Sequence, residues 1–241
     1  MQVIVKHKIE DELILPINYN HILQSVIYSH INNGDSSYQN LHNEGYQFGK
    51  RNYRLIVFSF LRGKYKISGK QIIFYDEIEF EIRSPEVRFI CQVAESIKKN
   101  GLTYGKQHFQ DIEVLLQDYE IECNEIRISP VTPICVYSTQ KDTYTKYYNP
   151  WEEEFYRKIQ DNFIRKYEAY YHIKPQTSVE LLPAKIVQKD KFVTRYKNTY
   201  ITGWYGEFIL KGERKYLNFL YQAGLGSKNS QGLGMFRVIG E

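Results

Sequence analysis

Cysteine is scarce and unpaired: Cys91, Cys123 and Cys135 stand far apart, with no Cys-x-x-Cys pair and no histidine at a spacing suited to zinc. That pattern speaks against a disulfide framework and against a structural metal site. It leaves reduced thiols, and so a cytosolic protein, as the expectation. Long apolar runs are missing too, since no stretch of about eighteen apolar residues occurs, and a membrane helix is not expected. The opening residues Met1 to Glu10 alternate like a strand and lack the apolar stretch and small-residue cleavage site of a signal peptide. The expected compartment is therefore the cytoplasm, with no membrane contact. Nor is charge of one sign in great excess: 32 Lys and Arg face 28 Asp and Glu, for a net +4. A histone-like polyanion binder is thereby excluded, and any nucleic-acid contact must come from local basic patches.

What is present fits a folded chain. Hydrophobic residues make up 42% and charged residues 25%, within the usual globular range and away from that of disordered chains. At 241 residues the chain suits two small domains of roughly 100 to 120 residues each. The 22 Tyr and 13 Phe exceed what a core needs. Such side chains can stack on unpaired bases, and they equally favour strands.

Val3 to Lys8 alternates like a strand, and Asn18 or Asn20 caps a predicted helix running to about Ile31. A polar, glycine-bearing stretch from about Asn33 to Arg51 reads as a long loop, of the kind that often carries function in compact domains. Arg54 to Leu61 and Gln71 to Ile82 read as a hairpin. A helix from Ser84-Pro85-Glu86 to about Lys99, with Ser84 as cap, and a strand near His108 to Tyr119 complete the order strand, helix, strand, strand, helix, strand. The second half repeats that order: strand at Glu125 to Tyr137, helix at Pro150 to Tyr170, strands at Ser178 to Val187 and Tyr200 to Leu210, helix at Glu213 to Ala223, and strand at Met235 to Ile239. The expected fold is α+β, two tandem ferredoxin-like (RRM-like) βαββαβ domains, spanning 1–122 and 123–241.

Residues 224 to 234 read Gly-Leu-Gly-Ser-Lys-Asn-Ser-Gln-Gly-Leu-Gly. Four glycines around a small polar centre remove side chains and permit positive φ. A phosphate could then approach backbone N–H groups, with Lys228 supplying charge and Asn229 and Ser230 further donors. The alternative is a tight turn packed on a neighbouring helix. A Walker loop is excluded, because Lys228 is followed by Asn229 and a strand follows where a helix would be required.

This segment, continued through Met235-Phe-Arg-Val-Ile239, resembles the closing signature of the CRISPR repeat-processing endoribonucleases, tandem ferredoxin-like RAMP proteins. Leu15-Pro-Ile-Asn-Tyr-Asn-His-Ile-Leu-Gln-Ser-Val-Ile-Tyr28 and Leu41-His42-Asn-Glu-Gly-Tyr46, ahead of Arg54 to Ser59, resemble that family as well. The resemblance spans effectively the full chain. It implies metal-independent RNA cleavage in antiviral defence, in which the ribose 2′-hydroxyl attacks the adjacent phosphate and leaves 2′,3′-cyclic phosphate and 5′-hydroxyl ends. No cofactor is implied, the partner is CRISPR repeat RNA as the precursor transcript, and assembly as a homodimer or with CRISPR effector-complex subunits stays open.

His42 lies in the glycine-bearing loop, where a substrate can reach it, and a histidine pKa near about 6.5 suits proton transfer. Projected at 100° per residue, positions 21 to 31 put Ile22, Leu23, Val26, Ile27 and Ile31 on one side, with His30 among them and Tyr28 opposite. His30 is thus expected to be structural and Tyr28 exposed, and the resemblance implies that Tyr28 assists His42. A cation after His42 would stabilise the charge of a phosphorane-like transition state. The resemblance puts a lysine in this region, which favours Lys50, with Arg54 as the fallback and Arg51 and Arg54 as phosphate contacts. His21 is held in reserve, and His7, His108 and His172 are read as incidental. The predicted RNA contacts are Gly224, Gly226, Lys228, Asn229, Ser230, Gly232, Gly234, Arg51 and Arg54, with no metal ligand. Two rival readings remain, a repeat-RNA binder that cuts nothing and a protein scaffold with no RNA affinity.

Overall fold

A computed structural model describes residues 1–32, 45–139, 144–196 and 199–240. His42 lies outside the described residues. The first half runs β1 (Gln2–Pro16), α1 (Asn20–Asn32), β2 (Tyr46–Phe48), β3 (Arg51–Tyr53), β4 (Val57–Phe58), β5 (Arg62–Ser68), β6 (Gln71–Arg83), α2 (Val87–Asn100), β7 (Leu102–Tyr104), β8 (Gln107–Phe109) and β9 (Ile112–Gln117). Its main sheet is antiparallel in the order β4-β6-β1-β9, with β5 also pairing β6. That is the ferredoxin-like arrangement, in which the first and third strands lie side by side and each helix crosses the sheet between strands.

Alternation along β1 decides which face is covered. Val3, Val5, His7 and Ile9 are buried, and the three aliphatic residues join Leu23, Val26 and Ile27 of α1 and Ile90, Val93 and Ile97 of α2 in one apolar core. The expected strand from Arg54 to Leu61 is broken. The Ser59 hydroxyl takes the Glu81 N–H at 2.9 Å, so a side chain stands where the ladder carbonyl would be, and pairing resumes only at Arg62↔Glu79. The hairpin is therefore β5–β6, not one begun at Arg54. Ser84 is not the cap of α2. Its hydroxyl donates to the Leu55 carbonyl at 2.6 Å, and the helix begins after Glu86. Asn18 and Asn20 likewise serve tertiary contacts: Asn18 Oδ1 accepts from Thr194 at 3.2 Å and Asn20 Nδ2 donates to the Gln231 carbonyl at 3.5 Å.

The second half runs β10 (Glu125–Pro130), β11 (Tyr137–Thr139), β12 (Thr145–Tyr147), α3 (Glu153–Tyr171), β13 (Glu180–Lys185), β14 (Lys191–Tyr196), β15 (Thr199–Trp204), β16 (Glu207–Lys211), α4 (Arg214–Ala223) and β17 (Phe236–Gly240). Its sheet, β13-β16-β10-β17, has the same topology, so the chain is a tandem of ferredoxin-like units. The predicted strand Tyr200 to Leu210 is two strands, because β15 leaves the sheet to pair with β14 as a separate ribbon. Glu152 and Glu154 at the head of α3 form ion pairs: Glu152 with Lys146 at 2.7 Å, and Glu154 with Arg157 at 2.5 Å and Lys158 at 3.1 Å.

Besides the Asn18 and Asn20 contacts, a buried arginine and a displaced hairpin tie the halves together. Arg83 is 2% exposed; it donates to Gln2 Oε1 at 2.9 Å and to the Phe236 carbonyl at 2.6 Å, and its guanidinium lies 3.9 Å from the Tyr221 ring centroid. Its charge is answered by Glu81 at 2.7 Å, which meets the requirement that a buried charge be paired and hydrogen-bonded. The β2–β3 hairpin, though early in sequence, packs on the second half: Leu55, Tyr46 and Tyr53 join that core, and Tyr46 meets Tyr170 of α3 at 5.0 Å between rings.

Candidate nucleic-acid interface

The glycine segment forms a loop between α4 and β17. Gly224, Gly226, Gly232 and Gly234 all take positive φ and all are buried. Their neighbours require glycine. A Cβ on Gly232 would meet the Phe58 ring at 2.7 Å, one on Gly226 the Cys135 carbonyl at 2.6 Å, and one on Gly234 would drive into the Leu225 carbonyl. The N–H groups of Gly224, Gly232 and Gly234 donate to Leu220, Asn229 and Pro133. The four glycines thus give the loop its shape, and three of them turn their N–H groups inward, where the sequence suggested an open N–H cradle.

Asn229 is the centre of the loop, 5% exposed. Its Nδ2 donates to the Leu225 and Leu233 carbonyls, both at 2.9 Å, and its Oδ1 accepts from Lys166 at 2.5 Å. With Asn229 turned inward, its neighbours Lys228 and Ser230 face a cleft of about 480 Å³. Lys228 Nζ lies 4.8 Å from the Tyr137 ring centroid.

The cleft is lined by three further elements besides this loop. Arg51 to Arg54 come from β3 and its exit, Tyr137 to Thr139 from β11, and Lys158, Asp161, Asn162 and Arg165 from α3. Cations outnumber carboxylates on these walls, with Asp161 4.0 Å from Arg165. A concave, positively charged surface of this kind attracts a polyanion. Sequence reasoning missed Lys158, Asn162 and Arg165, although their spacing of four and three puts them on one helix face. It also missed Tyr137, whose strand was read only as part of a longer one.

Of the predicted cations, Arg51 and Arg54 line the cleft; Lys50 sits exposed in the β2–β3 turn, outside the lining residues. Tyr28 is not exposed as projected: α1 turns it toward the glycine loop, where its hydroxyl is buried. The Arg54 guanidinium is 5.8 Å from its ring centroid. Burial raises the phenol's pKa, opposed first by the Arg54 charge and then by hydrogen bonding with Ser230, Arg54 and Gln24. Gln24 fixes this corner by donating to the Ser230 carbonyl at 2.5 Å and accepting from the Tyr196 hydroxyl. The reserve candidate His21 bonds the Asn18 carbonyl at 2.9 Å. His30 is buried against Ser96 at 3.0 Å.

Among the described residues no group of three or more His, Cys, Asp or Glu could hold a metal, and no helix is long and apolar enough to cross a membrane.

A family model described as CRISPR associated protein Cas6, C-terminal, matches residues 116–238. The chain is 27% identical to a CRISPR-associated endoribonuclease Cas6 of Methanocaldococcus jannaschii, over 98% of this chain and 91% of that protein. It is 35% identical to the CRISPR-associated endoribonuclease Cas6 of Pyrococcus furiosus over 38% of this chain and 34% of that one. Among solved structures, a Cas6-related protein from Pyrococcus furiosus superposes with a TM-score of 0.81 at 22% identity, covering 99% of this chain and 98% of that one. A RAMP protein described as binding different RNA substrates superposes with a TM-score of 0.80 at 23% identity, covering 99% of both. With a family model matching half of its length and a relative aligned along nearly all of it, this chain belongs to the Cas6 family of CRISPR-associated proteins.

Proposed function

We propose that this protein is an endoribonuclease that cuts CRISPR precursor RNA within its repeats, without a metal ion. The observation that carries the reading is that Arg54, Lys228 and Ser230 line one basic cleft while Tyr28 packs directly against Arg54 and Ser230, which brings three separate parts of the chain together. In the proposed reaction a base takes the proton of a ribose 2′-hydroxyl, O2′ attacks the adjacent phosphorus, and the bond to O5′ breaks as O5′ takes a proton. The products are a 2′,3′-cyclic phosphate and a 5′-hydroxyl end, and no water is consumed.

His42 is the proposed proton carrier, because an imidazole can accept and return a proton near neutral pH. Tyr28, whose phenol burial holds in its protonated form, suits donation to a phosphate oxygen or to the departing O5′ better than proton removal. Arg54, beside Tyr28, is the better-placed cation for the transition-state charge, ahead of Lys50 at its exposed turn. Arg51, Lys158, Arg165 and Lys228 are proposed to hold the RNA backbone, and the glycines to shape the loop that presents Lys228.

The test incubates the protein and its His42→Ala variant with the host's repeat RNA in EDTA and maps the product ends. A single cut with a cyclic phosphate end, slowed by about 10²- to 10⁴-fold in the variant, is the expected result. Binding with no cut would mean a repeat-RNA binder, and a cut indifferent to His42→Ala would remove His42 from the site.

A further inference from the structure

Lys166 on α3 is 4% exposed. Its Nζ lies 3.0 Å from the Gly224 carbonyl, 3.0 Å from the Gly226 carbonyl and 2.5 Å from Asn229 Oδ1. Among the described residues no carboxylate lies within ion-pair distance of it. Burial alone pushes its pKa down to about 7, while three oxygens at hydrogen-bond distance hold a proton on the amine. A methionine would fill the same space without desolvating a charge. What the amine supplies that methionine cannot is donors, and all three acceptors belong to the glycine loop.

The loop has one other internal tie of this kind. Asn229, held through its Oδ1 by Lys166, bonds the carbonyls of Leu225 and Leu233 with its Nδ2. Helix α3 is thus joined through one amine to the entering arm of the loop, and through Asn229 to both arms. Lys228 and Ser230 flank Asn229, so their outward direction depends on the inward anchoring of the residue between them. The same helix carries Lys158 and Arg165 on the cleft wall, which puts helix-borne and loop-borne cations in one frame.

We infer that Lys166 is the positioning residue of the glycine loop: its buried ammonium, bound to Gly224, Gly226 and Asn229, holds the shape that delivers Lys228 and Ser230 to the RNA backbone. The inference rests on reading the cleft as an RNA site. Lys166 touches no RNA in this account, and it acts through Lys228.

The experiment measures affinity for the host's single-stranded repeat RNA against salt concentration for the full chain, Lys166→Met, Lys166→Arg, Lys228→Ala and the Lys166→Met/Lys228→Ala double variant, each shown to be folded by circular dichroism. Loss of one phosphate contact lowers the slope of log affinity against log salt by about 0.7 on a single strand. Lys228→Ala and Lys166→Met are each expected to lose that slope, the double variant to lose no more, within about twofold in affinity, and Lys166→Arg to recover part of it. Mere destabilisation would reduce the active fraction and leave the slope alone. Should Lys166→Met fail to fold, Lys166→Gln, whose shorter side chain draws the donor back from the loop oxygens while keeping a polar head, takes its place with the same expected loss of slope. If Lys228→Ala loses slope and Lys166→Met does not, or if the two losses add, the inference is overturned and the cleft reading stands. If Lys228→Ala matches the unsubstituted protein, the loop's RNA role and the inference fall together.

Discussion

The β2–β3 hairpin, which turns at Gly49-Lys50, and the loop from Gly224 to Gly234 both border the cleft, and both carry glycine at positive φ, yet they are built on opposite terms. Around Gly49 nothing lies within 4 Å of where a Cβ would stand, whereas a Cβ on Gly234 would collide with the Leu225 carbonyl and lie 2.7 Å from the Asn229 amide. On the hairpin side Arg51 and Arg54 are exposed side chains on β3 and its exit, and among the described residues no buried polar framework like that of the loop lies beneath them. On the loop side Lys228 and Ser230 rest on a buried framework of Asn229 and Lys166. Glycine at one place relieves only backbone strain, and at the other it makes room for a neighbouring chain. The first arrangement tolerates change one residue at a time; the second transmits any change to everything the loop presents.

That contrast can be broken most directly with one substitution on each side. Gly234→Ala is expected to cost at least about 3 kcal/mol, from a left-handed φ together with a clash against backbone that cannot move away. Gly49→Ala should cost only about 1 kcal/mol, the φ penalty alone. Equal losses in a denaturant titration would show that the two turns are not different in kind. Next in size, Arg51→Ala and Arg54→Ala should each weaken repeat-RNA binding by about fivefold, near 1 kcal/mol for an exposed charge, and lower the salt slope by about 0.7. Their melting temperatures should stay within a degree or two. A loss of stability comparable to that of Gly234→Ala would place these arginines in a framework like that of the loop. The smallest effect is on α3. Arg157 and Lys158 hold the Glu154 carboxylate down to about 2 from an ordinary 4.5. A depressed carboxylate pKa stabilises the fold above its unfolded value and loses that contribution as pH falls from about 4.5 toward about 2. Glu154→Gln should therefore be slightly less stable than the unsubstituted protein at pH 7 and converge with it as pH falls through that window, a small effect because the pair is exposed. A loss at neutral pH as large as that of Gly49→Ala would mean that this turn of α3 also supports the cleft.

Much of the element order was legible, because core positions in strands and helices repeat with periods of two and of about 3.6. Both ferredoxin-like units could be traced that way, and so could the burial of His30 among Ile22, Leu23, Val26 and Ile27. Errors fell where a side chain bonds something distant in sequence. Ser84 reads as a helix cap until Leu55 is seen to claim its hydroxyl. Tyr28 projects to the polar face of α1, and only the packing of the glycine loop on that face encloses it. Lys166 stands three residues after Phe163 and one before Tyr167, an apolar-face position that a charged residue obscures. The predicted acid-base residue His42 lies outside the described residues.

By itself the sequence determined the class of fold, the tandem repetition of its units, the position of the glycine loop between the last helix and the last strand, and the supply of cations near it. These follow from local periodicity and from backbone freedom, which neighbouring residues alone dictate. The tertiary structure decided which cations meet. Arg54, Lys158, Arg165 and Lys228 come from elements spread over most of the chain, and their proximity depends on two sheets and a hairpin packing in one way. It also decided that the glycines face inward and the lysine outward, since a loop's direction is set by whatever its buried polar groups find to bond. For Asn229 that is an amine on another helix.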